Sequence, residues 1–232
     1  MPTLMLVGGG SSSGKTYLTR AAISLIDSDE IALLTLDDYY KDQTDVPMEE
    51  RLLVNYDHPR AFDWKLMRTQ LKALKEGKPI QKPVYDFVHH TRSDKIEIIE
   101  PKNLIVVEGI MALVDKTVRE LGDVSVFIQA SAERRFLRRL VRDVKERGRT
   151  FDNIVKQYFA TVQPMYDEIV EPSSMYADLI INNDGVKNLG VDVLRLAMER
   201  QLSKDDGDAL EKRSMSEEFA DFDFSGMIKG DK

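Results

Sequence analysis

The stretch Gly9-Gly10-Ser11-Ser12-Ser13-Gly14-Lys15-Thr16 decides how the rest of the chain is read. It follows the apolar run Leu4-Met5-Leu6-Val7, short enough for a buried strand. It precedes Tyr17 to Ile26, where Leu18, Ala21, Ala22, Leu25 and Ile26 recur at helical spacing and predict one buried face. Strand, glycine loop and helix are the context that the spacing G-x-x-x-x-G-K-[ST] requires. Glycines let backbone N–H groups turn inward around phosphate oxygens, and the helix N-terminus adds partial positive charge. Lys15 can reach the outer phosphates, and the Thr16 hydroxyl can ligate a magnesium ion. A small-residue turn opening an ordinary helix would not need all of these positions. The stretch reads as a nucleoside triphosphate site, with Gly9 to Thr16 as its cradle.

Composition sets the outer limits. A chain of 232 residues can bury one good core, with room for an appendage or lid. The absence of cysteine excludes disulfides, thiolate nucleophiles and cysteine metal sites. Met1-Pro2-Thr3 does not open a targeting segment, and no apolar run approaches membrane-spanning length, so the expected location is cytoplasmic, away from membranes. A net charge of −7 argues against a general nucleic-acid binder and leaves a small molecule as the expected partner.

Four further apolar runs read as strands: Ile31 to Leu36, Leu104 to Ile110, Val124 to Ile128 and Leu179 to Ile181. Continuous apolar strands separated by helical segments predict an α/β fold, a five-stranded parallel sheet covered on both faces. Ligands in such sheets sit beyond the carboxyl ends of the strands, which places Asp37-Asp38 and Glu108 on the phosphate side. A carboxylate at Asp37 or Asp38 could accept a proton from an attacking hydroxyl, or simply start a solvated loop. Glu108 closes an apolar strand, where a charge needs a partner, and magnesium is the favoured one. Asp63 is placed to cap a helix burying Trp64, Met67, Leu71 and Leu74, with Gly77 as its stop. Val84 to Val88 and Ile96 to Ile98 alternate and predict a hairpin inserted over about 83–100. Between the last two sheet strands, residues 133–150 carry eight basic side chains, among them Arg139, Arg142, Arg147 and Arg149. Phe136, Leu137, Leu140, Val141 and Val144 predict the buried face of this helix. Arginines crowded at i+3 and i+4 repel, so an anion-visited lid explains them better than a solvated face.

Together these residues resemble the uridine kinase family, within the group that includes phosphoribulokinase and pantothenate kinase. The resemblance rests on Gly9 to Thr16, Asp37-Asp38-Tyr39-Tyr40-Lys41-Asp42, Asn55-Tyr56-Asp57-His58-Pro59 and Pro83-Val84-Tyr85-Asp86-Phe87. It continues through His90-Thr91-Arg92, Val107-Glu108-Gly109-Ile110, Arg138-Arg139, Arg142-Asp143, Glu146-Arg147-Gly148-Arg149, Gln157-Tyr158 and Tyr176-Ala177-Asp178, in the family's order.

The resemblance implies a kinase that moves the γ-phosphoryl group of ATP or GTP, with Mg2+, to the 5′-hydroxyl of uridine or cytidine. It selects Asp37 over Asp38 as the catalytic base and Glu108 as the magnesium-holding acid. Asp57 is expected on the ribose, and Tyr85, Phe87 and His90 on the pyrimidine. Tyr40, Arg139, Arg149 and Gln157 are the other expected nucleoside contacts, while Lys15, Arg142 and Arg147 serve the phosphates. Strand alternation is expected to turn His89 away from the side of His90. A homotetramer is the family's expected assembly. Asn182-Asn183-Asp184-Gly185 departs from the Pro- and Gly-rich turn usual after the last strand, which leaves ATP and GTP equally open as donors. The rivals are a kinase for another small alcohol and a nucleotide-dependent switch without an acceptor. A guanine-reading Asn-Lys-x-Asp motif, usual in GTPase switches, is absent. The kinase domain is expected to span 1–202, followed by a polar, acidic tail over 203–232 read as disordered.

Overall fold

The computed structural model describes residues 1–26, 28–185 and 189–203, so the expected tail lies outside the described residues apart from Ser203. Five strands form a parallel sheet: β1 (Thr3–Gly9), β2 (Ile31–Thr35), β5 (Leu104–Glu108), β6 (Val124–Gln129) and β7 (Leu179–Asn182), ordered β2-β5-β1-β6-β7. β3 (Ile80–Asp86) and β4 (Thr91–Ile99) pair separately as an antiparallel hairpin. The α/β class and the five parallel strands agree with the sequence reading.

Side chains alternate across the sheet, as a period of two requires. Leu4, Leu6, Leu34, Ile105 and Val107 join one core with Met67, Leu71 and Leu74 of α3 (Trp64–Lys75). Met5, Val7, Leu104, Val106 and Val126 join another. Leu18 of α1 (Lys15–Ser24) and Leu194 and Met198 of α8 (Leu189–Leu202) cover that second face. Both faces are therefore dry, which is why the strands read as unbroken apolar runs. The expected apolar face of α1 is shorter than its periodicity suggested. The helix ends at Ser24, and Leu25 turns out into solvent.

α3 matches its sequence signals in detail. The Asp63 carboxylate accepts from the Leu66 amide at 3.0 Å and caps the first turn. At the other end Gly77 adopts φ 75°, while Gly77 N–H donates to Leu74 O at 3.0 Å and Lys78 N–H to Ala73 O at 2.9 Å. That pair of bonds satisfies the last carbonyls by a left-handed turn.

The hairpin begins earlier than the expected residue 83, at Ile80, which pairs with Ile99. Its register shifts between Pro83 and Tyr85, where proline cannot donate to the ladder. Phe87, Val88, His89 and His90 form the turn, and His90 takes φ 51°. Alternation is thus the wrong reason for separating His89 from His90, because both lie outside the strands. The Asp86 carboxylate instead holds the His89 ring at 2.7 Å and accepts from the Val88 and His89 amides.

Two short helices, α2 (Met48–Arg51) and α4 (Lys116–Leu121), and the longer α5 (Ala132–Arg147) complete the frame. A long helical segment follows as α6 (Phe151–Gln157) and α7 (Gln163–Met165), each continued by a π-helical turn, Tyr158–Val162 and Tyr166–Val170. Pro164 sits inside this segment and supplies no N–H, so a regular α ladder cannot run through it.

A Cβ on Gly77 would meet no atom within 4 Å, so its cost is conformational alone. Gly77→Ala should lower unfolding free energy by about 1 kcal/mol, and Gly77→Asn by less, in urea titrations.

Candidate functional site

The phosphate loop leaves β1 and enters α1 through Gly14, whose φ of 96° suits glycine. Ser13 N–H donates to Gly10 O at 3.0 Å, which curls the loop. The Ser12 and Ser13 hydroxyls are buried, and no partner reaches either among the described residues. Buried hydroxyls normally find one, so a ligand rich in oxygen acceptors fits this cradle. Ser11 is tied differently, its hydroxyl accepting from Arg139 at 2.9 Å.

Parallel register brings the end of β5 alongside. Glu108 stands level with Val7 on one side and Thr35 on the other. It is only 2% exposed, and its carboxylate accepts from the Thr16 hydroxyl at 3.0 Å. Burial raises its pKa against the pull of Lys15. A hydroxyl and a carboxylate converging beside a phosphate loop are hard oxygen donors, and they fit a magnesium ion. Among the described residues no group of three or more His, Cys, Asp or Glu forms a metal cluster. Magnesium commonly needs only one or two carboxylates beside phosphate oxygens and waters.

The neighbouring aspartates Asp37 and Asp38 lie on a 3-10 turn, Leu36–Tyr39, directly after β2. They point to different work. Asp38 forms an ion pair with Lys82, a side chain that is almost wholly buried and also reaches Glu97 at 3.1 Å. Asp38 further accepts from the Tyr85 amide at 3.3 Å, so it pins the hairpin to the sheet. Asp37 lies instead in the field of Lys15, Arg147 and Arg142. Burial dominates these cations and holds its carboxyl above the ordinary range.

On α5 the expected apolar face is covered only in part: Phe136 and Leu140 are half-buried, Phe136 against Tyr158 at 4.7 Å. Leu137 and Val141 are 57% and 53% exposed and Val144 is exposed too, whereas Arg135, Arg139 and Asp143 are buried. Leu137, Val141 and Val144 turn outward because Asp143, at 0% exposure, gathers the arginines inward. Its carboxylate lies 2.8 Å from Arg142, 3.3 Å from Arg149, 3.6 Å from Arg147 and 3.7 Å from Arg139. Burial raises its pKa, but these guanidinium groups outweigh it and the net shift is downward. The amide oxygen of Gln157 adds bonds from Arg149 at 2.7 Å and Arg139 at 3.0 Å. Arg139, Arg142, Arg147, Arg149 and Gln157 are thus one network. Asp57 joins it electrostatically through Arg139, though burial raises its pKa overall.

A recess of aromatic rings opens beside this network. Tyr40 stacks on Phe62 with centroids 4.4 Å apart, and lies 5.1 Å from Tyr85 and 5.2 Å from Tyr56. Tyr56 lies 5.5 Å from His90, whose pKa is lowered by burial and then by Arg149 and Arg51. His90 is therefore a neutral imidazole at neutral pH, able to donate at one nitrogen and accept at the other. Phe87 sits at the hairpin tip, 53% exposed, its ring 5.2 Å from that of Tyr85. Gln43 closes the recess, donating to the Tyr56 hydroxyl at 2.7 Å and to His90 O at 3.1 Å. Sequence reasoning assigned no role to Gln43, Tyr56 or Asp143. Tyr56 stood inside a quoted motif, and Asp143 sat at i+4 from Arg139, which was the available signal.

Comparison with known proteins adds a family. Residues 4–189 match the phosphoribulokinase/uridine kinase family. The uridine kinase of Ligilactobacillus salivarius is 44% identical over 193 residues, covering 83% of this chain and 91% of the relative. That of Listeria welshimeri is 43% identical over 203 residues, covering 88% and 97%. Among solved structures, phosphoribulokinase from Rhodobacter spheroides superposes with a TM-score of 0.60 at 13% identity, over 81% of this chain and 73% of that one. D-glycerate 3-kinase from Cryptococcus neoformans gives 0.59 at 18% identity, over 78% and 86%. At such identities the likeness is one of fold.

Helix α5 yields a contrast in stability. Leu137→Ser should change unfolding free energy by no more than about 0.5 kcal/mol, as for an exposed site. Asp143→Ala should cost about 3 kcal/mol, because it leaves buried arginines unpaired. With its folded pKa depressed, Asp143 contributes fully above its ordinary value of 3.8 and loses that contribution as pH falls below it. Denaturant titrations of both variants at neutral and acid pH check this.

Proposed function

We propose, from the premise that the chain belongs to the phosphoribulokinase/uridine kinase family, that it transfers the γ-phosphoryl group of ATP or GTP to the 5′-hydroxyl of uridine or cytidine. Relatives named uridine kinase, aligned over more than four fifths of the chain, support the acceptor. The observation that carries the reading at the site is the division between two adjacent carboxylates. Asp38 is consumed by Lys82 and the hairpin, and Asp37 faces the cations of the phosphate side.

In this reading Asp37 takes the proton of the 5′-hydroxyl. The O5′–Pγ bond forms as the bond from Pγ to the β,γ-bridging oxygen breaks, and the nucleoside diphosphate leaves with that electron pair. Lys15, Arg142 and Arg147 neutralise charge spread over the transferring phosphoryl oxygens, where positioning and electrostatics supply most of the catalysis. Thr16 and Glu108 would hold magnesium, which when bound offsets the charge of the β- and γ-phosphates. Gly9 to Gly14 cradle the phosphates. Asp57 holds the ribose hydroxyls, with Tyr40, Arg139, Arg149 and Gln157 completing the nucleoside contacts. Tyr85 and Phe87 wall the base, and His90 serves its polar edge. Uracil presents an acceptor oxygen at C4 and cytosine an amino donor, and one imidazole can answer both.

Asp37→Asn should lower kcat by about 100-fold or more while nucleoside binding persists. The acid limb of the wild-type profile should fall through a pKa above the ordinary aspartate value and disappear in the variant. A carboxyl whose folded pKa is raised costs the folded state stability once ionised, so the same variant should melt higher. Asp38→Asn inactive beside an active Asp37→Asn would reverse the assignment. His90→Ala should raise KM for both pyrimidine nucleosides about tenfold, the effect of a lost buried hydrogen bond, and His89→Ala should leave them near normal. The deciding experiment offers a panel of nucleosides with ATP or GTP and detects the phosphorylated product directly. Triphosphate hydrolysis that needs no nucleoside would sink the kinase reading.

A further inference from the structure

We infer that Asn183 and Arg138 form a latch that aims the phosphate loop, which makes both of them positioning residues for the donor triphosphate. The inference rests on reading Gly9 to Thr16 as the phosphate cradle. Asn183 belongs to Asn182-Asn183-Asp184-Gly185, a segment the proposed reaction does not otherwise use. Its side-chain amide donates to the Ser13 carbonyl at 2.8 Å. Arg138 donates to the same oxygen at 3.1 Å and, with its other terminal nitrogen, to the Asn183 carbonyl at 2.8 Å. The segment is itself well anchored. Asn183 N–H donates to Gln129 O at 2.8 Å, and the Asp184 carboxylate accepts from the Ser131 amide and hydroxyl at 2.9 and 3.1 Å.

Peptide geometry turns this contact into a constraint on the loop. The Ser13–Gly14 peptide is planar and trans, so its carbonyl and N–H point in opposite directions. Two donors holding the Ser13 carbonyl toward β7 and α5 therefore hold the Gly14 N–H toward the inside of the loop. A backbone N–H aimed inward is what such a loop offers a phosphate. The approach also requires glycine at 14, since a Cβ there would lie 2.2 Å from the Asn183 amide nitrogen. Lid helix, last strand and phosphate loop thus meet at one carbonyl oxygen. Neither Asn183 nor Arg138 need touch the donor for its phosphates to feel their loss.

The test measures the donor KM together with inhibition by inorganic tripolyphosphate, which has phosphates but no base. In Asn183→Ala, donor KM and the tripolyphosphate inhibition constant should rise together by about tenfold, the effect of one hydrogen bond, with kcat and nucleoside KM within about twofold. Asn183→Asp should be worse, because it sets a carboxylate against a carbonyl oxygen. Arg138→Lys keeps the charge but loses the two-pronged fork, and should show the same paired rise. A rise in donor KM with tripolyphosphate inhibition unchanged would overturn the latch and assign Asn183 to the donor base. Loss spread evenly over kcat, both KM values and melting temperature would overturn it in favour of a general structural role. Wild-type enzyme indifferent to tripolyphosphate would instead refute the phosphate-loop reading itself.

Discussion

The site depends on the register of three parallel strands. Val7, Glu108 and Thr35 stand abreast in the ladder, so β5 and β2 end level with each other and β1 runs two residues further. Two residues beyond Val7 the phosphate loop begins, and two residues beyond Thr35 stands Asp37. Glu108 itself closes β5 between them. A one-residue slip in any strand would exchange its core face for the opposite one, so burial on both faces enforces the alignment. The chemistry is therefore positioned by hydrophobic packing some distance from it, through Leu4, Leu6, Leu34 and Val107 on one side and Met5, Val7 and Val106 on the other.

Charge does the corresponding work above the sheet. Lys82 is nearly buried between Asp38 and Glu97, and it helps fix a hairpin whose Ile80, Tyr85 and Ile99 also join the core. Asp143 organises four arginines in the same way. Both centres obey one rule: an ion taken from water is tolerated when opposite charges surround it. The outcomes differ. Around Lys82 two acids meet one cation, and Asp38 there pins the hairpin to the sheet. Around Asp143 positive charge is in excess, and that excess is what a phosphoryl group would meet.

Much of this was legible in the residues. Five apolar runs gave five parallel strands, and Asp63 and Gly77 marked the ends of α3 within a residue. Periodicity failed where its premise failed. Reading Leu137, Val141 and Val144 as buried assumes that hydrocarbon decides which way a helix faces, and in α5 a single acid decides it. The hairpin turn was misjudged for a related reason, since alternation was extended through His89 and His90, where the backbone takes a left-handed turn at His90. Gln43 could not be found at all. Its side chain meets Tyr56 and the His90 carbonyl only after a loop closes across nearly fifty residues, and no local spacing records that.

The charged burial of α5 around Asp143 bears on how the segment over the phosphate loop responds to its surroundings. Separating apolar surfaces produces a large positive heat-capacity change. Lifting α5 would wet guanidinium groups and one carboxylate along with the Phe136 ring, which packs on Tyr158 at 4.7 Å, so that signature would be smaller than for a wholly apolar face. Much of the work of lifting it is electrostatic, and mobile ions screen buried pairs far less than exposed ones. Ionic strength therefore acts on the half-exposed Arg147 more than on the buried Arg139–Asp143 pair that helps hold this helix over the site.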